Sequence, residues 1–467
     1  MRVGKTTIEQ TPVARRQQCS EPQCGACYDL NERLYDCSRC GGLLEITGPA
    51  VAIGSAATLR RSWRSRRESL ATRDGSGVWR FRELLPFPEG APVISLGEGN
   101  TPLYEARRCA NYCRLDILTL KHQGCNPTGS FKDTGMTTAI TQAVILGART
   151  ALCASTGNTA ASLAAYAARG NLQCAILIPQ GQVSHAKLAQ SLDYGAQVVE
   201  LEGNFDDCMR LARALAEDES IYLVNSLNPF RIEGQKTVAA ELLEQCDWRV
   251  PDHVIVPGGN LGNSSALGKG FTELFNLGLI GRLPKLSVIQ AEGAGPFARL
   301  FAKHDVTRFK SGPIADDLLL PVAEPHTLAS AIRIGAPVSW KKSLRVVSLS
   351  GGWIISVSEQ EIADAKAIIG REGIGCEPAS AATVAGIKKL VAEGRIKQHE
   401  QVVAVLTGHL LKDSDYTINY HRQALFLDDR STDNISERRC LTTTFSNSPV
   451  RVPASRDAIL KQLERNT

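Results

Sequence analysis

Short apolar runs alternate with alanine-rich stretches of helical spacing through the middle of this chain, and this alternation constrains the fold more than any other feature. The runs Cys174–Ile178, Val254–Val256, Leu286–Gln290 and Gln401–Leu406 read as strands, many of their residues β-branched. Strands separated by helices imply an α/β protein with parallel sheets. Ser358 and Glu361 form a capping box ahead of Ile362, Ala365 and Ile369, which predicts a helix there. A second helix is expected from Pro378, where a proline suits the first turn, to about Gly394.

A chain of 467 residues with 43% hydrophobic and 22% charged residues is neither disordered nor fibrous, and it has the length for two or three domains. The net charge of +5 is spread out except at Arg60–Arg67 (RRSWRSRR), which reads as a solvated helix face rather than a nucleic-acid patch. No apolar run is long enough to span a bilayer, and the N-terminal residues lack the apolar core of a secretory signal, so neither a membrane nor a nucleic-acid partner is expected and the location expected is cytoplasmic.

Five of the fourteen cysteines, Cys19, Cys24, Cys27, Cys37 and Cys40, crowd into one short segment. Cys24-Gly-Ala-Cys27 and Cys37-Ser-Arg-Cys40 read as two knuckles whose four thiolates close a tetrahedral structural zinc site, with Cys19 as a spare. Four thiolates leave no open position for catalysis. The other nine cysteines read as reduced packing residues.

Three polar or glycine-rich loops each precede a helix: Asn126–Asp133, Ala154–Ser162 and Gly258–Ser265. Helix N-termini present unpaired N–H groups and a positive dipole end, so such loops suit phosphates and carboxylates. The third lacks the GxxxxGK[ST] spacing of a nucleotide P-loop, which disfavours ATP or GTP and leaves a small phosphorylated cofactor. Lys132 stands in the first loop at a helix start, where a cation opposes the dipole. A desolvated lysine there has a lowered pKa and can form a Schiff base with a carbonyl cofactor, acting as nucleophile and later as base, whereas an exposed lysine is the plainer reading of the residue alone.

The strings His122–Met136 (HQGCNPTGSFKDTGM), Ala154–Thr159, Asn225–Thr237 (NSLNPFRIEGQKT), Pro257–Asn263 (PGGNLGN) and Leu406–His409, in this order, resemble the threonine synthase family over roughly residues 95–415. The stretch Asp247–Asn263 resembles its plant-like branch, in which S-adenosylmethionine can act as an activator, a regulation left open here. The knuckle running into Gly-Gly-Leu-Leu-Glu45 resembles the N-terminal segment of zinc-ribbon-bearing members. Thr134 and Gln123 depart from the arginine and glutamate that many relatives carry there.

The resemblance implies a fold-type II pyridoxal-phosphate enzyme, similar in fold to tryptophan synthase β. Lys132 would carry the cofactor, Gly259, Asn260, Leu261, Gly262 and Asn263 would hold its phosphate, Asn158 would meet its ring hydroxyl and Thr407 its pyridine nitrogen. Arg231, with Ser155, Thr159, Asn225 and Ser226, would bind the phosphate of O-phospho-L-homoserine, which loses phosphate and gains water in a β,γ-replacement that yields threonine. The nearest rivals are a serine or threonine dehydratase and a cysteate synthase; a noncatalytic zinc-containing binding protein is the rival from another class.

The expected organisation is a cysteine-rich segment (1–45), a large cofactor domain (46–150 and 229–413), a small mobile substrate domain (151–228) that closes over the site, and a C-terminal extension (414–467) with a helix near Asp457–Arg465 docked on the body. A homodimer is the assembly kept open.

Overall fold

The computed structural model describes residues 15–48, 55–181, 185–427 and 440–464. A three-stranded antiparallel ribbon comes first, with β1 (Arg16–Cys19) between β2 (Cys27–Tyr28) and β3 (Leu44–Thr47). β4 (Leu103–Glu105) and β5 (Leu118–His122) then begin a large sheet. The chain leaves it to build a separate four-stranded parallel sheet from β6 (Thr150–Ala154), β7 (Gln173–Pro179), β8 (Gln197–Leu201) and β9 (Ile221–Leu223), in the order β8-β7-β6-β9. It returns with β10 (His253–Pro257), β11 (Lys285–Ala291), β12 (Ile354–Val357) and β13 (Val402–Leu406), and the large sheet has the order β12-β11-β10-β13-β5-β4, parallel except for β4. The four apolar runs fall within β7, β10, β11 and β13, the last without Gln401. Every residue of β10 and β13 is buried, because helices cover both faces of the large sheet and leave no polar side to alternate with.

The helix Glu359–Arg371 is capped by the reciprocal Ser358–Glu361 bonds, and the next helix spans Pro378–Ala392. Two helices that matter for the site cross at close range, Lys132–Ile145 and Pro229–Gln245. They approach through facing glycines: a Cβ on Gly135 would lie 2.7 Å from the Arg231 carbonyl oxygen, and one on Gly234 would overlap that of Thr134. This contact brings the helix bearing Lys132 against the helix bearing Arg231. Gly234→Ala is therefore expected to destabilise the protein by about 1–3 kcal/mol, read as a lower urea midpoint at unchanged slope.

Two sequence expectations change. The basic stretch lies in the helix Ala56–Arg67, yet one side of that helix is core: Trp63 is fully buried and stacks on Trp248, Arg60 sits 4.5 Å over the Trp248 ring, and Arg66 pairs with Glu83. The single tryptophan turns what reads as a solvated face into a packing face. The terminal helix, Arg456–Glu464, buries none of its residues, with Ile459, Leu460 and Leu463 exposed, and Arg465 lies outside the described residues. The extension docks instead through Tyr416, Tyr420, Leu425 and Leu441, which pack on Ala363 and Ala367. Among the described residues no helix is long and apolar enough to cross a membrane.

Candidate active site

A cavity of about 810 Å³ opens between the two sheets, where β6, β10 and β13 end. Ligands in open α/β sheets bind outside the carboxyl ends of strands, and helix N-termini gather there. Three helices start at the cavity wall, at Lys132, Asn158 and Gly262, and the helix Pro378–Ala392 starts beside it with Glu377 as its first flanking residue. All of the residues anticipated for cofactor or substrate line it: Lys132, Asn158, Gly259, Asn260, Leu261, Gly262, Asn263 and Thr407, together with Ser155, Thr159, Asn225, Ser226 and Arg231.

Burial lowers the Lys132 amine to about 7; the Arg231 charge adds to the effect and Glu377 opposes it. Its nitrogen lies 4.5 Å from the centre of the Phe131 ring. The loop before it is pinned to the end of β13, because Phe131 N–H donates to the Thr407 carbonyl (2.9 Å) and His409 N–H to that of Gly129 (2.9 Å). Asp133 secures it from the other side, accepting from Thr128 N–H (2.7 Å), the Thr128 hydroxyl (2.6 Å) and the hydroxyl of Ser162 in the helix Asn158–Arg169 (2.6 Å).

The glycine-asparagine loop has the shape of an anion cradle. Leu261, at the N-cap, takes φ +64°, a strained value for a bulky residue, and no side chain caps the helix Gly262–Asn276. Burial of the Leu261 side chain in the core holds that conformation. The helix N–H groups thus lack a side-chain cap at the cavity, and the buried Asn263 side-chain N–H₂ has no partner among the described residues. Asn260 braces the loop, donating to the Ser226 hydroxyl (3.3 Å) and accepting from Val338 N–H (3.2 Å). Arg231 is 2% exposed; one terminal nitrogen donates to the Val224 carbonyl (3.1 Å), its Nε has no partner among the described residues, and burial lowers it to about 10.

Two participants escape sequence reasoning. Glu377 is 1% exposed and accepts from Asn158 Nδ2 (2.9 Å) and the Thr407 hydroxyl (3.1 Å); burial pushes its carboxyl up. Its signal was an acid directly before the helix-starting proline. Lys412 also lines the cavity and donates across it to Gln190.

The cluster of four cysteines differs from expectation in one member. The sulfurs of Cys19, Cys24, Cys37 and Cys40 lie within 4.8 Å of one another, with Cys19–Cys40 at 3.5 Å and Cys24–Cys37 at 3.6 Å. Cys27 is exposed, its thiol turned to the Gly25 carbonyl, so Cys19 takes its place. Cys19 points inward by the period-two burial of β1, whereas Cys27 opens β2 on its outer side.

The pyridoxal-phosphate dependent enzyme family matches residues 94–408. The threonine synthase of Methanocaldococcus jannaschii is 46% identical over 403 residues, 86% of this chain and 94% of that protein; the threonine synthase of Methanosarcina acetivorans is 45% identical over 87% and 95%. The Mycobacterium tuberculosis threonine synthase is 44% identical over 72% and 88%. Among solved structures, a fungal L-serine ammonia-lyase from Rhizomucor miehei superposes with a TM-score of 0.56 at 21% identity, covering 67% of this chain and 94% of that one. The processed threonine deaminase isoform 2 of Solanum lycopersicum gives 0.55 at 20% identity over 66% and 78%.

Proposed function

We propose, from the premise that the chain belongs to the threonine synthases, a family of pyridoxal-phosphate-dependent lyases, a role for each residue around the cavity in turning O-phospho-L-homoserine and water into threonine and phosphate. The observation that carries the assignment is the gathering of Lys132, the buried Arg231 and an uncapped helix N-terminus in one cavity.

The donor set fits the cofactor. Gly259–Asn263 would hold its phosphate through the uncapped helix N–H groups and the Asn263 amide. Asn158 would meet the ring hydroxyl and Thr407 the ring nitrogen. Bound there, pyridoxal phosphate supplies an electron sink for charge developing at the substrate α-carbon. Lys132 Nζ, with its amine lowered to about 7, would hold the cofactor and, in its neutral form, would take the α-proton of the substrate. Arg231 presents its planar fork to the substrate phosphate, with Ser155, Thr159, Asn225 and Ser226 around it. The four-stranded lobe, residues 151–228, closes on the large one and excludes water. Glu377 positions Asn158 and Thr407: Glu377→Gln leaves one of the two donors facing an N–H₂ group, which is expected to lower kcat about tenfold, or about 1.4 kcal/mol, and to displace the cofactor's visible absorption band.

The cysteine centre takes a structural zinc on Cys19, Cys24, Cys37 and Cys40; bonds of about 2.3 Å to a tetrahedral ion put sulfurs about 3.8 Å apart, close to the two shortest separations. The setting proposed is cytoplasmic, as a homodimer. The test of the whole is the purified protein with O-phospho-L-homoserine, phosphate and threonine assayed together. Equal release of both supports the assignment; ammonia and a keto acid from unphosphorylated serine or threonine would move it to the dehydratases.

A further inference from the structure

The cysteine ribbon touches both lobes, and its contacts divide it in two. The strand part lies on the six-stranded lobe: Arg345 donates to the Ser20 carbonyl (2.7 Å), Lys341 pairs with Glu21 (3.1 Å), Lys342 donates to the Leu44 carbonyl (2.7 Å) and Lys269 to that of Ile46 (2.6 Å). The loop part lies on the four-stranded lobe. There Tyr35 Oη accepts from Leu223 N–H (2.7 Å) with its ring edge-on to Tyr222 at 5.9 Å, Asp36 pairs with Arg213, and Leu43 packs against the cluster of Leu152, Leu177 and Leu223.

The four sulfurs sort the same way. Cys19 and Cys24 flank Ser20 and Glu21 in the strand part, whereas Cys37 and Cys40 follow Tyr35 and Asp36 in the loop part. Each of the two short sulfur contacts, Cys19–Cys40 and Cys24–Cys37, crosses the division. Besides the bond from Ser20 N–H to the Leu43 carbonyl, the halves are joined by the Gln17 side chain, which donates to the carbonyls of Asp29 (3.0 Å), Leu30 (3.4 Å) and Glu32 (2.7 Å), and by contacts at the sulfurs themselves, Tyr28 with Cys37 (3.0 Å) and Arg39 with Cys24 (3.3 Å); the buried hydrophobic core of the ribbon is Cys19, Cys37 and Leu44. So small a core relies on its metal. Leu223, held by Tyr35, ends β9 two residues before Asn225 and three before Ser226, and Arg231 is bonded to Val224, the residue after Leu223.

We propose that the four-cysteine metal centre is an interlobe staple that positions the substrate-phosphate subsite: the ion joins a half seated on the large lobe to a half gripping β9, and so sets where Asn225, Ser226 and Arg231 stand. The proposal rests on the zinc reading above. The metal binds away from the cofactor, so its loss acts on phosphate recognition and leaves the cofactor in place.

The experiment takes the full-length holoenzyme and its Cys40→Ser, Tyr35→Phe and Cys27→Ser variants. It measures zinc per chain, amide hydrogen exchange in residues 205–226, the Kd for inorganic phosphate and the visible cofactor band. Cys40→Ser is expected to lose zinc, speed exchange in β9 and weaken phosphate binding about tenfold with the cofactor band retained. Tyr35→Phe cuts the grip without touching a sulfur, and is expected to keep zinc yet show the same faster exchange and weaker phosphate binding; Cys27→Ser should match the parent in every readout. A parent protein free of zinc overturns the zinc reading and the staple with it. Zinc present and lost in Cys40→Ser, with exchange and phosphate affinity unmoved in both variants, overturns the staple alone.

Discussion

Lys132→Ala is expected to abolish the visible band of the lysine-held cofactor and to lower kcat on the order of 10⁴-fold, the upper range for removing a general base that is also the covalent tether. Among the described residues, the other lysine lining the cavity, Lys412, is engaged by Gln190 across the opening. The pH dependence follows from the direction of the shift. With the amine lowered to about 7, mainly by burial, the neutral form prevails above that pH and the protonated form below it. Cofactor uptake by the apoprotein should therefore slow as pH falls through 7, about tenfold per unit well below it, and level off above. An uptake rate that keeps rising to pH 10 would show an ordinary exposed lysine and sink the assignment.

Arg231→Leu is expected to cut kcat/KM for O-phospho-L-homoserine by about 10³-fold, near 4 kcal/mol, because a buried guanidinium with an open Nε is lost from the phosphate subsite. It carries a second readout. Arg231 is the charge that helps to depress Lys132, so its removal should move the acid limb of cofactor uptake to higher pH. Arg231→Lys should restore the limb, since a point charge suffices for it, but only part of the affinity, since an ammonium lacks the planar fork. Unchanged kcat/KM in Arg231→Leu would place the phosphate elsewhere.

What could be read from the sequence was whatever depends on local chemistry. Strands buried on both faces announce themselves as apolar runs, a helix start as Ser358-x-x-Glu361, and anion-binding turns as glycine and asparagine after a strand; each is set by its own few residues. Lys132 drew attention because a cation at a helix start is locally unfavourable, and its cause, burial beside Arg231, lies elsewhere in the chain. What escaped depends on partners remote in sequence. Glu377 matters through Asn158 and Thr407, which tertiary folding alone brings to it. Choosing Cys19 over Cys27 requires the inward face of β1, against the pull of the C-x₂-C spacing. Trp63 is buried because Trp248 and Phe81 receive it, which the surrounding arginines conceal.

The insertion of the four-stranded lobe between β5 and β10 also dictates an order of assembly. Its strands come from one continuous stretch, the most distant pairing joining Thr150 to Ile221, so it can complete itself while the chain is still being made. The large sheet cannot: β5 must wait for β13, Leu118 pairing with Val402, and β10 pairs with that same late strand. Until it arrives, β5 and β10 expose apolar residues and unpaired edges, and closing so long a loop is slow. The ribbon, synthesised before either lobe, has no finished surface to sit on until both lobes exist, so the four thiols that meet at its centre are made ahead of the lobes they join and brought together after them.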